Sequence, residues 1–596
     1  MFHKDMFSDI VVCDTEFSTQ FVGDPQQPLC VCAYGIRSGR KIRYWVQGKG
    51  RFAPPFFLTQ PDILFVAFRA EAELSTFIAL DWPLPRFVLD MYYLHRRMTN
   101  GYPGEQGLTG CAKYHNLPIP YTVEKKHTIQ QRASIGGYFS IDEQNEMLDY
   151  CYQDVKVTLD VFRVLCPNHP ALWKEALRYG EYLKVVAKEE HRGIPVDQVR
   201  IVRLLAALPD ITRYLVSTIP EETRFYDEEG HFSETAFTEY LIHHEIPWLP
   251  AEPPRKRTNR FGEPKQKRSA RIKPALDAGS FSKMVKVYPQ FGPLADVRYF
   301  LERMQVKYLP IGSDGRCRTL LWPASSDTLR NQPSSTKFLF GQPRWTRNFL
   351  KPPEGNSVVE VDIAQEEFFL AAISSGDEAM IADYKTGDAY TACAIRMGLT
   401  SEEDTEEERD QKRNIAKIVV LGSLYGLSAE GVAEQLGVPL AYARYYLDQL
   451  KRRYPVFFEW VNQVVMQAAI AGVMYNHFGW VRGNTRDINP RTLRNFPIQS
   501  AGSNLLQRVC VAADRKGVQL IGTVHDSFLL EAPITQAKDT AACLQQVIAD
   551  ITAETIGHPF RTGKPKIVNH PDHYTIKHKM WDRTRELYLY ITGKPL

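Results

Sequence analysis

The sequence predicts a multidomain α/β protein, and three observations lead to that fold class. The chain has 596 residues, which is enough for several domains. Short β-branched runs that end in acidic residues occur near both ends of the chain and predict strands. From about residue 176 onward, long stretches with polar faces predict helices between them.

The composition is that of an ordinary globular protein in water, with 44% hydrophobic and 24% charged residues. The net charge of +4 is small, so basic residues must be concentrated locally if a polyanion binds. No apolar run is long enough to cross a membrane, and the N-terminus lacks the layout of a signal peptide. The ten cysteines show no paired C-x-x-C spacing, which argues against zinc and for a reducing compartment. We therefore expect a cytoplasmic protein without membrane contact.

Two pairs of residues stand out in the N-terminal third. Asp14 and Glu16 follow the apolar run Ile10-Val-Val-Cys13, and residues two apart on a strand point to the same side. Tyr150 and Asp154 are four apart in a stretch with helical character, so they share a helix face. The sequence therefore predicts carboxylates on a strand and on a helix of this region.

A basic segment follows in the helical region. Residues 253–273 hold nine Lys and Arg against one acid, interspersed with Pro, Gly and polar residues. Such density favours a loop that contacts nucleic-acid phosphates, and a solvated linker is the alternative.

Three further stretches carry a second set of charged residues. Val358–Val361 is a strand-like run that ends in Asp362. Arg413 and Lys417 share one face of a predicted helix. Two strand-like runs, 517–524 and 528–531, flank His525-Asp526-Ser527, which predicts a hairpin with an acid at its turn. Two carboxylates at strand ends with a cationic helix form a site for two hard divalent metals and a triphosphate.

In this order, the three stretches resemble motifs A, B and C of the DNA polymerase I family, also called family A. The matching residues are Asp362 in motif A, Arg413, Lys417, Tyr425 and Gly426 in motif B, and His525 and Asp526 in motif C. Arg491, Asn495 and Gln499 also follow the family's Arg-x3-Asn-x3-Gln spacing.

The resemblance implies a role for each matching residue. Asp362 and Asp526 would hold two Mg²⁺ ions, with Mn²⁺ as a substitute. Arg413 and Lys417 would contact the incoming phosphates, with Lys417 as the candidate general acid. Glu367 matches the steric gate that excludes a ribose 2′-OH. The remaining implied substrate contacts are Gln365, Leu421 and Tyr425 at the nucleotide, Arg491, Asn495 and Gln499 at the primer terminus and minor groove, and His525 at the primer-end phosphate.

Three positions depart from the family pattern. Leu421 and Ile363 stand where the family usually has aromatic residues, and Ser527 replaces the usual Glu after the motif C acid. None of these changes removes a metal ligand, so we expect activity with unusual sugar and base discrimination.

The N-terminal residues resemble the proofreading 3′–5′ exonuclease domain of the ribonuclease-H-like (DnaQ-like) fold. There an Asp-x-Glu pair comes early and a Tyr-x3-Asp pair late, and four acids hold two metal ions. The resemblance implies metal ligation by Asp14, Glu16 and Asp154, with Tyr150 orienting the attacking water.

The middle exonuclease motif is less regular than the other two. It matches residues 66–73, where Phe68 and Arg69 replace the usual polar residues. Glu73 is the third acidic ligand that the resemblance implies, and Glu71 is the alternative if the register slips by two residues.

These resemblances imply a domain order and a function. Residues 1–175 would be the exonuclease domain and 176–596 a right-hand polymerase, with the thumb at about 176–305, the palm at about 306–375 and 490–596, and the fingers at about 376–489. The expected partners are primer-template DNA and dNTPs, and the sequence leaves open whether replication accessory proteins also bind. The layout resembles phage replicative enzymes, which would place the protein in the bacterial host cytoplasm. The alternative function is a DNA-binding 3′–5′ exonuclease with a degenerate polymerase module.

Overall fold

The structure is a computed structural model that describes residues 4–48, 53–55, 58, 60–167, 169–227, 229–251, 273–401, 403–486 and 488–596. Of the basic segment 253–273, only Lys273 belongs to these residues. Within them, no helix combines the length and the apolar character that a membrane crossing requires.

The strands fall into two larger sheets and two short pairs. In chain order they are β1 (Ile10–Ser18), β2 (Gln27–Gly35), β3 (Lys41–Trp45), β4 (Leu64–Ala67), β5 (Phe87–Asp90), β6 (Ile194–Pro195), β7 (Arg316–Cys317), β8 (Asn356–Asp362), β9 (Val473–Tyr475), β10 (Val481–Gly483), β11 (Leu520–Val524), β12 (Ser527–Pro533) and β13 (Lys566–Asn569).

The helices outnumber the strands among the described residues. They are α1 (Glu71–Ala79), α2 (Met91–Thr99), α3 (Leu108–Tyr114), α4 (Val123–Ile135), α5 (Ile141–Leu165), α6 (Pro170–Arg192), α7 (Gln198–Ser217), α8 (Glu234–His243), α9 (Ala278–Val285), α10 (Gly292–Arg303), α11 (Glu366–Ser375), α12 (Glu378–Lys385), α13 (Ala389–Arg396), α14 (Glu406–Leu424), α15 (Ala429–Leu436), α16 (Leu440–Arg453), α17 (Pro455–Ala471), α18 (Pro490–Arg515), α19 (Ala537–Ile556) and α20 (Lys579–Thr592). This mixture of helices and strands confirms the predicted α/β class.

The N-terminal sheet has the strand order β3-β2-β1-β4-β5. β1 pairs antiparallel with β2 and parallel with β4, so it lies at the centre of the sheet. Its first residues, Ile10, Val11 and Val12, are buried because both faces of a central strand are covered. Helix α5 packs on β1 and β2 and brings Asp154 over the sheet. This helix begins at Ile141, earlier than the Tyr150 pattern suggested, because Ser140 and Glu143 form a capping box.

The C-terminal sheet is antiparallel throughout, in the order β11-β12-β8-β13. Strand β8 is central and reads Asn-Ser-Val-Val-Glu-Val-Asp, with Val358, Val359 and Val361 buried. Helices α18 and α19 pack against each other, and α19 covers β8 and β12. One face of the sheet is thereby covered, and Asp362 and Asp526 lie at the end of β8 and just before the start of β12.

Helix α6 belongs to the cores of both sheets. It contacts β5 and α1 on one side and α18 and β11 on the other. Gly180 lets its backbone approach β5, since a Cβ there would lie 2.0 Å from the Val88 carbonyl oxygen. The α6 residue Tyr179 stacks on Tyr93 with 4.1 Å between ring centroids, and Tyr93 stacks on Trp480 at 5.6 Å. The predicted boundary between residues 175 and 176 therefore falls inside one continuous helix, and the predicted domain limits stay predictions.

The helices after α6 form a separate aromatic cluster. Phe237 of α8 packs edge-on against Trp248 and stacks on Phe281 of α9. Trp248 lies on the segment that leads to residue 251, and the Ala251 amide donates to the Lys273 carbonyl at 2.8 Å. The chain therefore leaves this cluster at residue 251 and returns to it at residue 273.

Candidate functional site

The antiparallel sheet brings Asp362 and Asp526 together. Asp362 is the last residue of β8, and its register partner on β12 is Ser527. Asp526 lies in the two-residue turn between β11 and β12, where His525 adopts a left-handed φ of 59°. The Ile363 amide donates to the Asp526 carbonyl oxygen at 3.1 Å, which ties the turn to the end of β8. The predicted hairpin is confirmed, and both acids stand at one edge of the sheet.

The two carboxylates repel each other in this position. Although the Asp362 side chain reaches solvent, desolvation by the surrounding protein raises its pKa to about 7, and the charges of Asp526 and Glu360 add to that shift. Burial also raises the pKa of Asp526, against the opposing charges of His525, Arg330 and Lys417. A cation bound between the two acids would relieve both effects, so these residues fit a divalent metal.

Helix α14 supplies the cationic side of this site. It begins at Glu406, where Thr405 and Glu408 form a capping box, and the three acids of its first turn suit the helix dipole. Lys417 lies close enough to lower the pKa of both Asp362 and Asp526. Arg413, one turn earlier, is bound instead to Asp388, through its Nε atom to Oδ2 and through Nη2 to Oδ1 at 3.4 Å.

Asp388 also organises Gln365, which comes three residues after the motif A acid Asp362. Its Oδ1 atom accepts from the Gln365 amide at 2.8 Å, and the Gln365 Oε1 atom accepts from the Ala389 amide at 3.1 Å. Gln365 has a left-handed φ of 57°, and its side chain is engaged within the protein at both ends. Its predicted contact with the nucleotide therefore stays a prediction that would require this network to rearrange.

Glu367 lies between Arg330 and the acid pair. Its Oε1 atom is 3.2 Å from the Arg330 Nη2 atom. Burial raises the pKa of Glu367, Arg330 lowers it, and the charge of Asp526 raises it again. The buried ring of Tyr390 borders the same region, with Arg413 and Lys417 at 5.6 and 5.9 Å from its centroid.

Glu360 places a further carboxylate beside Asp362. The two residues are two apart on β8 and so point to the same side of the sheet. The Ser527 hydroxyl donates to Glu360 Oε1 at 3.2 Å, and the Tyr574 hydroxyl donates to Oε2. Ser527 therefore holds a glutamate of the neighbouring strand at the position where the family usually has its own glutamate. Sequence patterns did not single out Glu360, although its spacing from Asp362 was a readable signal.

The remaining predicted residues lie on α18 and at the end of α14. Leu421 is half-buried on α14, and Tyr425 caps its C-terminus. Gly426 follows with φ of 71°, and a Cβ there would lie 3.2 Å from Arg491 Cγ. Arg491 is exposed, and its close approach to Gly426 places the first turn of α18 against the loop that follows α14.

Two more residues of α18 complete the predicted set. Asn495 and Gln499 are half-buried on that helix, and the Asn495 Oδ1 atom has no hydrogen-bond partner in the described part of the chain. Ile363 is fully buried and forms a backbone bridge with Thr562, so it contributes to the core.

A second carboxylate site lies on the N-terminal sheet. Carboxylate oxygens of Asp14, Glu16 and Asp154 are all within 4.8 Å of one another. The Asp14 Oδ2 atom is buried without a hydrogen-bond partner among the described residues. Burial raises the pKa of Asp14, and the charges of Asp154, Glu16 and Glu73 raise it further. Burial likewise raises the pKa of Glu16 to about 8, with Asp154 adding to the shift. Such a cluster fits a bound cation.

Two tyrosines and a lysine border this cluster. Tyr150 is buried on α5, and its ring centroid lies 5.1 Å from that of Tyr121. The Tyr121 hydroxyl donates to Asp154 Oδ1. The charge of Lys126 lowers the pKa of both Glu16 and Asp154. Tyr121 and Lys126 were not found from sequence, because their proximity arises from the packing of α4 and its preceding loop on β1.

The middle ligand position lies at the start of α1. Glu73 is buried and influences the pKa of Asp14, although it is not part of the group of three within 4.8 Å. Glu71 forms an ion pair with Arg69 at 3.5 Å, and burial raises the pKa of Glu71 to about 7, with the charge of Asp90 adding to the shift. The Asp90 side chain caps α2 by accepting from the Tyr92 and Tyr93 amides. This geometry favours Glu73 over Glu71 as the acid that faces the cluster.

Comparison with known proteins identifies the C-terminal region. The family model described as DNA polymerase family A matches residues 328–561, which include Asp362, Lys417 and Asp526. DNA polymerase I of Chloroflexus aurantiacus is 31% identical over 225 residues, which are 35% of this chain and 24% of that protein. DNA polymerase I of Aquifex aeolicus is 30% identical over 221 residues, or 34% of this chain and 36% of that protein. The matched region thus spans about a quarter to a third of these relatives.

A solved structure resembles nearly the whole chain. The POL domain of Pol1 from M. smegmatis, solved in complex with DNA primer-template and dNTP, superimposes with a TM-score of 0.70. The match covers 95% of each chain at 16% sequence identity, so it establishes a shared fold.

Proposed function

We propose that this chain is a DNA polymerase of family A that extends a DNA primer with dNTPs on a DNA template, because the family model matches residues 328–561. One observation carries the proposal: Asp362 and Asp526 meet at adjacent strand ends with Lys417 facing both. The fold shared with a polymerase domain that was solved with primer-template and dNTP supports the same partners here.

Each side chain has a task in this proposal. Asp362 and Asp526 would hold two Mg²⁺ ions, or Mn²⁺ in their place, which supply a lower pKa for the primer 3′-OH and charge neutralisation of the triphosphate. Glu360 would add a peripheral carboxylate from β8. Lys417 binds the phosphates and donates a proton to the leaving pyrophosphate, as its position opposite the acids allows.

The proposed contacts with the nucleotide and the primer come from residues on several helices and turns. Glu367 lies near enough to Asp526 to close the space beside the sugar, with Arg330 holding its carboxylate. His525 is exposed and would contact the primer-end phosphate. The primer terminus would be contacted by three residues of α18, namely Arg491, Asn495 and Gln499. The sheet of β8, β11, β12 and β13 would be the palm, α12–α17 the fingers and α7–α10 the thumb.

Primer extension on a synthetic primer-template tests the polymerase proposal. Asp526→Asn should reduce nucleotide incorporation by about 10³-fold or more, because one metal-binding charge is lost while DNA binding persists. The matched control is Asp539→Asn, the same chemical change at an exposed position in the first turn of α19. Extension by Asp526→Asn at the wild-type rate would contradict the assignment.

A 3′–5′ exonuclease is the second function that we propose, and the cluster of Asp14, Glu16 and Asp154 favours it. The strand order β3-β2-β1-β4-β5, with β2 antiparallel to the other four strands and a central acid-bearing strand, supports a ribonuclease-H-like fold. Asp14, Glu16, Asp154 and Glu73 would hold two Mg²⁺ ions there. Tyr150 or Tyr121 would orient the attacking water, and Lys126 offsets part of the negative charge.

Degradation of a mismatched 3′ end tests this second proposal. Asp14→Asn combined with Asp154→Asn should abolish degradation in the absence of dNTPs and leave extension of a matched primer intact. Asp142→Asn and Asp160→Asn, on the same helix α5, serve as controls. Degradation that persists in the double variant would place the nuclease site elsewhere. Degradation without any extension by the wild-type protein would instead support the alternative of a nuclease with a degenerate polymerase module.

A phage origin and a cytoplasmic location stay predictions from sequence. The free state of all ten cysteines is consistent with a reducing compartment.

A further inference from the structure

A third cluster of metal-ligating side chains lies apart from both carboxylate sites. His95 belongs to α2, Cys111 to α3, and His115 directly follows α3. One ligand atom from each residue lies within 4.8 Å of the other two. The spacing of four residues puts Cys111 and His115 on the same side of α3, which faces α2.

The two imidazoles lack the partners that buried polar groups normally have. The Nδ1 atom of His95 and the Nε2 atom of His115 are both buried, and neither has a hydrogen-bond partner within the described ranges. A buried nitrogen without a partner costs about 1–3 kcal/mol, so such groups usually have a function or a ligand. His95 and Cys111 are almost fully enclosed, whereas His115 is half-buried and gives access from solvent.

We propose that His95, Cys111 and His115 bind a Zn²⁺ ion. Two imidazole nitrogens and one thiolate are the ligand types that zinc prefers, whereas Mg²⁺ and Ca²⁺ select oxygen. At ordinary zinc–ligand bond lengths of about 2.0–2.3 Å, tetrahedral ligand atoms lie roughly 3.3–3.8 Å apart. Small side-chain rotations bring atoms within 4.8 Å to that spacing. A water molecule would complete the fourth position.

The protonation of the cluster is compatible with metal binding. Burial, with the charges of His115 and Arg96, lowers the pKa of His95 to about 4, so this imidazole is neutral and ready to coordinate. Burial raises the pKa of the Cys111 thiol to about 12. Metal binding would therefore release one proton, since zinc is bound by the thiolate.

The position of the site indicates a structural role. Helix α2 docks onto the C-terminal half directly beside His95: Arg96 donates to the Ala324 carbonyl at 3.4 Å. One turn later, the Asn100 side chain donates to the Asp327 carbonyl at 2.8 Å, and the Asn100 carbonyl accepts from the Gly483 amide at 2.9 Å. Zinc would fasten α3 to the helix that makes these contacts and so support the junction between the two halves of the chain.

The absence of C-x-x-C pairs argues against a zinc site built from cysteine pairs, but this cluster has one cysteine and two histidines. Cys111-x3-His115 is a short motif, but its third member lies sixteen residues before Cys111 on another helix. Sequence spacing alone could not bring His95 to it.

Metal analysis of the full-length protein tests the proposal. After dialysis against zinc-containing and then zinc-free buffer, elemental analysis should find one zinc per wild-type chain. The Asp14→Asn/Asp154→Asn variant should keep that zinc, which separates the site from the exonuclease cluster. Cys111→Ser and His115→Gln should each lose it, while the matched controls Cys166→Ser and His127→Gln should not.

Cobalt provides a second readout for the same ligands. Co²⁺ in the wild-type protein should give a thiolate-to-cobalt charge-transfer band and the strong visible bands of tetrahedral coordination. Cys111→Ser should lose the charge-transfer band. If Cys111→Ser fails to fold, His115→Gln still tests the site, because it changes a half-buried residue and should weaken the visible bands of tetrahedral cobalt. Wild-type protein without bound zinc, or zinc retained in both ligand variants, would overturn the proposal.

Discussion

At the scale of single residues, Glu367 shows how one ion pair can position the side chain that we propose as the sugar gate. Its carboxylate is 3.2 Å from Arg330 and lies near Asp526. Without Arg330, repulsion between the two negative charges would disfavour an ionised glutamate at this position. Arg330 therefore allows a negative side chain to stand beside the metal-binding acids. In the proposed polymerase, the bulk of Glu367 would limit the space for a sugar substituent.

This arrangement leads to a prediction about sugar discrimination. Glu367→Ala should raise ribonucleotide incorporation relative to deoxyribonucleotide by about 10-fold or more, because a cavity replaces the side chain next to the sugar. Glu367→Gln is the matched control: it keeps the bulk, removes the charge and should retain most of the discrimination. The measurement is kcat/KM for each nucleotide in single-nucleotide extension. Equal ratios for wild type and Glu367→Ala would assign the gate to another residue, and Tyr390, which is close enough to feel the charge of Glu367, is the next candidate.

Residues that act through their own local pattern were predictable, whereas residues that act through distant partners were not. Asp362, Asp526 and Asp14 end or follow strand-like runs, and the structure has them on those strands and turns. The positions of Arg330 and Tyr121 depend on chain segments far from the acids they contact. No spacing within the sequence encodes such contacts.

At the scale of elements, helix α6 carries an unusual buried acid. Glu189 is 3% exposed, and neither of its carboxylate oxygens has a hydrogen-bond partner among the residues described. Burial raises its pKa from 4.5 to about 8, with Arg192 opposing and Asp514 adding to the shift. Helix α6 therefore contains a group that prefers to be neutral in the folded protein.

The raised pKa makes the stability of the protein depend on pH. Below about pH 4.5 Glu189 is protonated in both the folded and unfolded states, and its burial carries no charge penalty. As the pH rises from 4.5 through 8, the unfolded state ionises first, so this contribution to stability is progressively lost.

Glu189→Gln should remove that dependence. We expect the Tm of the variant to match wild type near pH 5 and to exceed it near pH 9. The corresponding gain in unfolding free energy near pH 9 is on the order of 5 kcal/mol, since each unit of the pKa shift is worth about 1.4 kcal/mol. Thermal unfolding followed by circular dichroism across this range is the measurement, with Glu239→Gln on the surface of α8 as the control. A Tm difference that is the same at both pH values would show that Glu189 does not titrate as described.

The starts of two helices have a local signal in the sequence, although the Tyr150 pattern alone placed the start of α5 too late. Thr405 with Glu408 and Ser140 with Glu143 are capping boxes that can be read from sequence, and they begin α14 and α5. The sheet order could not be read in the same way, because β8 pairs with β12 and β13 from more than 160 residues away.

At the scale of the whole molecule, the basic segment is the clearest candidate for a DNA contact away from the catalytic residues. The described residues Ala251 and Lys273 flank residues 252–272 and are joined by a backbone hydrogen bond beside the aromatic cluster of Phe237, Trp248 and Phe281. The segment between them carries eight of the nine basic residues and lies outside the described residues.

Neutralising part of this segment should weaken duplex binding irrespective of base sequence, because phosphate contacts carry no base information. For Arg255→Gln, Lys256→Gln and Arg257→Gln together, the slope of log affinity against log salt should flatten by about 0.9 per lost contact. Affinity for primer-template DNA across a salt series measures this slope, and the same change at Arg163, Lys174 and Lys538 is the control. Parallel slopes for the segment variant and wild type would identify the segment as a solvated linker.

The continuity of α6 also determines how the molecule can be divided. Limited proteolysis and gene truncation separate domains only where a cleavable linker joins two independent cores. Here the connection is a helix whose residues pack on both sheets, and Tyr179 stacks in a column that reaches Trp480. A cut near residue 175 would therefore expose apolar surface on both products, and an isolated C-terminal fragment should begin before Pro170 to remain folded.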